Sequence, residues 1–255
     1  MESQESPKFL FSVRDGADLL MKTNKIIGVL GGMGPQASNE FYRLLISRAH
    51  QIYGAHNNND YPEILMDSVP VPDFLADTKK QEQAARMLEE RVEKMTNYGA
   101  DIITMVCNTA CILNDRLQRK TRVPIISVVE EVVKKVFIDQ PFVLLLASPT
   151  SLRLGLYQLA LARCGVNYIV PNKRDYQELE FIIRGVIDGK DRDLLLKKLV
   201  RLTERYLQKQ KADGIVLGCT ELPLVFPVNY RLPVYSSLSI LADAVLKRYY
   251  KKEEV

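Results

Sequence analysis

Two stretches of this chain follow one pattern, and that repetition limits the folds open to it. In the first, Ala100-Asp101 leads into an apolar run, Ile102-Ile103-Thr104-Met105-Val106, that ends on Cys107 and continues as Asn108-Thr109. In the second, Ala212-Asp213 leads into Gly214-Ile215-Val216-Leu217-Gly218, which ends on Cys219 and continues as Thr220-Glu221. Apolar runs of this length, without alternation, read as strands buried on both faces of a parallel sheet. The polar residues after each Cys read as helix caps. Each thiol is therefore expected at the C-terminal end of a strand, beside a helix N-terminus, which is where open α/β sheets bind ligands.

The rest of the chain supports a duplicated α/β unit. Strands are expected over 25–30, 62–66, 101–106 and 123–127, and again over 141–147, 168–170, 214–218 and 232–236. Helical spacing is expected over 36–50, 81–98, 114–120, 152–164, 175–186, 191–210 and 238–250, with a short helix over 15–22. The distance from Gly31 to Cys107 nearly equals that from Ala147 to Cys219, so the halves keep register. A repeat this long is a duplicated domain and not a solenoid, and alternating strands and helices imply a parallel sheet in each half. The expected architecture is two pseudo-twofold-related α/β domains around a shared cleft. One comprises 25–127 plus 237–255 and the other 128–236, after an extension over 1–24.

Composition narrows the function. Of 255 residues, 47% are hydrophobic and 26% charged, as in an ordinary globular protein, and a net charge of +4 is too small to argue for nucleic acid. Four cysteines do not make a disulfide framework. Cys107 and Cys111, with only His50 and His56 as imidazoles, do not make a zinc site, so no metal is expected. The first 24 residues lack a signal-peptide core, and no stretch approaches the length of a membrane span. The expected setting is a reduced cytoplasm, away from membranes.

Position suggests chemistry for the two thiols. Helix-start N–H groups favour negative charge and are expected to lower a thiol pKa. Two such thiols facing one cavity form an acid/base pair; the bland alternative is two small buried residues. Asn108, Thr109 and Thr220 offer donors that hold a substrate carboxylate and steady an enolate as it forms, or they simply cap helices. Glu221 orients a thiol or an ammonium, or only complements a helix dipole. Gly31-Gly32-Met33-Gly34-Pro35 lacks the Gly-x-Gly-x-x-Gly register of a dinucleotide site and no Lys follows it as in a Walker loop, yet a glycine-rich turn at a helix start suits a small carboxylate. His50 and His56 read as surface residues.

Taken together and in order, Leu30-Gly31-Gly32-Met33-Gly34-Pro35, Cys107-Asn108-Thr109-Ala110 and Gly218-Cys219-Thr220-Glu221 resemble the signatures of the aspartate/glutamate racemase family, in particular its cofactor-independent aspartate racemase branch. The resemblance runs from about residue 25 to 249. It implies two α/β domains with the site between them, an amino-acid substrate and no pyridoxal phosphate or other cofactor, and it leaves a homodimer open. It also implies that Cys107 and Cys219 serve as proton donor and acceptor. Met33, Asn108, Thr109 and Thr220 would lie on the substrate carboxylate, with Gly34, Ala110 and Glu221 completing the pocket.

The departures from that branch bear on the substrate. Phe74 follows Val71-Pro72-Asp73 where an Arg is usual, Glu180 stands where a Lys is usual before Arg184-Gly185, and Cys111 replaces a frequent His. Glu180 is expected to repel an acidic side chain, so a neutral or basic amino acid is the expected substrate, unless Lys79, Lys173, Arg174 or Arg184 substitutes for the missing cation. A maleate-type cis–trans isomerase, a hydantoin racemase, and a non-catalytic carboxylate-binding protein are the alternatives on the same frame.

Overall fold

The computed structural model describes residues 24–72, 78–139 and 142–250. The extension expected before residue 24, its helix over 15–22, and Phe74 lie outside the described residues.

The first half holds strands β1 (Ile26–Gly31), β2 (Glu63–Ser68), β3 (Ile102–Met105) and β4 (Ile125–Ile126), with helices α1 (Pro35–Tyr53), α2 (Thr78–Tyr98) and α3 (Asn114–Gln118) between them. Helix α4 (Val128–Asp139) leads into the second half. There β5 (Val143–Ala147), β6 (Tyr168–Ile169), β7 (Gly214–Gly218) and β8 (Val234–Ser236) alternate with α5 (Pro149–Leu154), α6 (Leu156–Arg163), α7 (Tyr176–Ile187), α8 (Arg192–Lys209) and α9 (Leu222–Val225). The chain ends on α10 (Ser237–Tyr250).

Both sheets are four-stranded and parallel, with matching orders β2-β1-β3-β4 and β6-β5-β7-β8. The expected strands and, apart from two differences described below, the expected helices are met in kind, with ends moved by a few residues. β5 and β7 are wholly buried, which explains why they read as unbroken apolar runs. The repeated Ala-Asp now has a cause. Asp101 accepts the Ile26 N–H on its carboxylate at 2.7 Å, and Asp213 accepts the Phe142 N–H in the same way at 3.2 Å. In each half this Asp closes the open N-terminal edge between the two central strands. Register then carries the two strands level to their C-terminal ends, pairing Leu30 with Met105 and Ala147 with Gly218.

Two helical features differ from expectation. Residues 128–139 carry no expected element, because a run of β-branched valines is a weak helix signal. In the fold, Val128, Val129, Val132, Val133 and Val136 form one buried helical face. The single helix expected over 152–164 is two, broken at Gly155, which adopts φ +67 and ends α5. Helix α10 returns from the second half to pack on α1 of the first as well as on α4. Arg248 bonds Glu131 of α4 at 2.6 Å, and Arg48 of α1 pairs with Asp243 of α10. Among the described residues, no helix is long and apolar enough to cross a membrane.

Candidate active site

A cavity of about 250 Å³ opens where the C-terminal ends of the two sheets meet. β3 delivers Cys107, and β7 delivers Cys219, to its wall. Gly32, Met33 and Gly34 of the β1–α1 turn contribute, as do Asn108, Thr109, Thr220 and Glu221. Ala110 is fully buried and does not line the cavity; its N–H, with that of Thr109, bonds the Cys107 sulfur. His50 and His56 are exposed and lie elsewhere, ring against ring at 4.8 Å.

The residues after each Cys do not cap helices with their side chains. Beyond Cys107 the chain makes a single 3₁₀ turn over Thr109–Leu113, and α9 after Glu221 is only four residues long. The polar side chains bond across the fold instead. Asn108 donates from Nδ2 to Ser237 Oγ at 3.2 Å and accepts on Oδ1 from the Tyr157 hydroxyl. That leaves one Nδ2 hydrogen for a ligand. Thr109 Oγ1 lies 3.0 Å from Ser148 Oγ, and Thr220 Oγ1 donates to Glu221 Oε2 at 3.1 Å. The Cys219 thiol donates to that same oxygen at 3.0 Å.

The electrostatics overturn the expected depression of the thiol pKa values. Burial pushes Cys107 up to about 12, with the negative charge of Glu221 adding to it; the Thr109 and Ala110 N–H groups pull the other way but do not prevail. Cys219 is held well above the ordinary thiol range by burial and then by Glu221. Glu221 is itself raised, because a carboxylate 3% exposed loses most of its hydration. Short helical turns supply too little dipole to offset this desolvation.

The turn of glycines also behaves differently from a simple anion cradle. The Gly32 N–H is taken by Ser38 Oγ at 2.9 Å, and Ser38 in turn donates to the Gly34 carbonyl at 3.0 Å. Gly32 sits at φ +87 with the Val69 backbone where a Cβ would stand, so glycine is required there.

Of the four cations considered as substitutes for the missing basic residues, Arg184 lines the cavity, whereas Lys79, Lys173 and Arg174 do not. Glu180 also lines it, but not as a lone repelling carboxylate: its Oε1 accepts from Arg184 Nε at 2.9 Å, one helical turn along α7. The apolar part of the cavity's lining includes Met33, Val71, Pro72, Ile183 and Ile187. Sequence reasoning missed Ser148, Tyr157, Ser237, Ile183 and Ile187. Only Ser148, which follows β5 as Gly32 follows β1, carried a positional signal. Among the described residues, no cluster of three or more His, Cys, Asp or Glu is placed to share a metal ion.

The Asp/Glu/hydantoin racemase family model matches residues 30–245. The chain is 25% identical over 225 residues to the broad specificity amino-acid racemase RacX of Bacillus subtilis (strain 168), covering 88% of this chain and 98% of that protein. An aspartate racemase homologue from Pyrococcus horikoshii OT3 superposes with a TM-score of 0.75 at 26% identity, over 89% of this chain and all of the other. Picrophilus torridus aspartate racemase, at 24% identity and TM-score 0.77 over 90% of this chain and 96% of its own, shares the fold.

Proposed function

The chain belongs to the Asp/Glu/hydantoin racemase family, and from that premise we propose that it interconverts the enantiomers of a neutral or basic amino acid by proton transfer between Cys107 and Cys219, without a cofactor. One observation carries the reading: each half contributes one strand-end thiol, and both line a single cavity. One sulfur, as thiolate, removes the Cα proton and becomes a thiol. The electron pair left on Cα delocalises into the substrate carboxylate, which the Thr109 hydroxyl, the Thr220 backbone N–H and the remaining Asn108 N–H stabilise. The opposite thiol then protonates the other face and is left as thiolate. The reactive form of the pair therefore has one sulfur ionised and one protonated.

Substrate choice is set by the wall. Arg184 is already paired with Glu180, and the charge of Glu221 also reaches it, so an acidic side chain finds no uncompensated cation there. RacX is named for broad amino-acid specificity, which agrees with a substrate range beyond aspartate. The domain division at 127/128, with 237–255 counted with the first half, is retained as part of this proposal. So is action in the cytoplasm.

The test is Cα deuterium exchange in D₂O across a panel of L- and D-amino acids, with Cys107→Ala and Cys219→Ala beside the wild type. Each substitution should lower racemisation at least about a hundredfold, the usual scale for a lost acid or base. Near-normal racemisation by either folded variant rules out the two-thiol route.

A further inference from the structure

The two oxygens of Glu221 do different things. Oε2 takes the Cys219 thiol at 3.0 Å and the Thr220 hydroxyl at 3.1 Å. Oε1 is sealed from solvent and has no hydrogen-bond partner, although its side chain lines the cavity. It is aimed at the β1–α1 turn: a Cβ placed on Gly34 would come within 2.3 Å of Oε1. A buried carboxylate oxygen with no donor is costly, more so than a neutral acceptor. Glu221 and Gly34 both line the cavity, so a donor bound there reaches Oε1 once the carboxylate turns slightly toward it.

We infer that Glu221 Oε1 receives the α-ammonium of the amino acid. The inference rests on the racemase reading and adds the group that distinguishes an amino acid from other small carboxylates. Ammonium nitrogen and Cα are bonded neighbours, so a nitrogen on Oε1 brings Cα beside the thiol that Oε2 holds. Charge points the same way. The negative charge of Glu221 opposes ionisation of both Cys219 and Cys107, and a bound ammonium offsets that charge at both sulfurs at once. Either sulfur is then easier to ionise with an amino acid bound than in the empty cavity, although burial, the larger cause, still opposes ionisation. Glu221 acts in this scheme as a binding and positioning residue; it exchanges no proton with Cα.

Glycine and glycolate differ only in bearing an ammonium or a hydroxyl, and calorimetric titration of the full chain with each reads the proposed contact directly. Wild type should bind glycine at least about tenfold more tightly than glycolate, the scale of one charge-assisted hydrogen bond. Glu221→Gln should abolish that preference by weakening glycine while leaving glycolate unchanged or tighter. Glu221→Asp should retain part of it. Gly34→Ala, whose methyl displaces Oε1, should also erode it, which serves as an independent reading if Glu221→Gln does not fold. A structural role alone would weaken both ligands together. Wild type without a glycine preference, or Glu221→Gln with the preference intact, overturns the inference. Wild type that prefers glycine but exchanges no Cα hydrogen of any amino acid overturns the racemase reading and leaves this one standing.

Discussion

The hydroxyl of Tyr157, on α6 of the second half, donates to Oδ1 of Asn108, at the end of β3 in the first. Both groups are buried, and the bond turns the Asn108 amide so that Nδ2 faces Ser237. Tyr157→Phe keeps the ring and leaves a buried carbonyl unsatisfied. It should cost about 1–3 kcal/mol of stability, read by urea denaturation. It should also lower kcat/KM at least about tenfold, because the amide nearest Cys107 loses its orientation.

In the proposed two-thiol route the thiol pKa values set the pH profile. A thiol pushed up to about 12, as Cys107 is by burial and Glu221, is almost wholly protonated at neutral pH. The thiolate fraction then grows with every step toward alkali, and Cys219 is raised in the same sense. Because kcat/KM reports the free enzyme and free substrate, log kcat/KM should climb from about pH 7 to about 8.5, below the range in which the free amino acid loses its ammonium proton, without reaching a plateau. A plateau below about pH 8 would show that the free thiols ionise far more easily than their surroundings indicate.

The Glu180–Arg184 pair sets the charge of the side-chain wall. Glu180→Lys shifts that wall by two charges toward positive, beside Arg184. The ratio of kcat/KM for aspartate to that for a neutral amino acid should rise at least about tenfold, the worth of one favourable charged contact. An unchanged ratio would place side-chain recognition elsewhere in the cavity.

Arg116 ties α3 to α2, bonding Glu89 Oε1 at 2.8 Å and Glu82 Oε2 at 2.6 Å. The guanidinium holds Glu82 down to about 2, and Glu89 below its ordinary value. A depressed carboxylate stabilises the fold above its unfolded pKa and loses that contribution as pH falls through its folded value. The pair is open to solvent, so Arg116→Ala should lower the melting temperature at neutral pH only slightly. Thermal melts of wild type and variant should converge as pH falls from the ordinary glutamate range toward about 2, the value to which Glu82 is held, with Glu89 taking up its proton below its ordinary range as well.

How much of this is legible in the sequence depends on whether a residue acts locally. Cys107 and Cys219 declare themselves because each ends a buried strand in a repeated pattern. The four-strand sheets are announced by apolar runs such as Val143–Ala147, buried on both faces. Helix α4 is hidden by its valines, whose packing against α10 outweighs their weak helix propensity. Tyr157 and Ser237 stand far from Asn108 in sequence and belong to no motif, so only tertiary contact reveals them. The thiol pKa direction runs against the expectation because desolvation depends on depth, and residue order does not report depth. Glu180 reads as a lone charge when only its own position is considered, although Arg184 four positions later is a visible i,i+4 partner.

Ser237 opens α10, so the bridge that fixes Asn108 is anchored on the last helix of the described chain. A polypeptide emerging from the ribosome presents both cysteines before that helix exists. Until α10 docks between α1 and α4, the Asn108 amide lacks one of its two anchors. The order of synthesis thus withholds the finished form of the proposed site from any chain interrupted before residue 237, and its second anchor arrives with the closing helix.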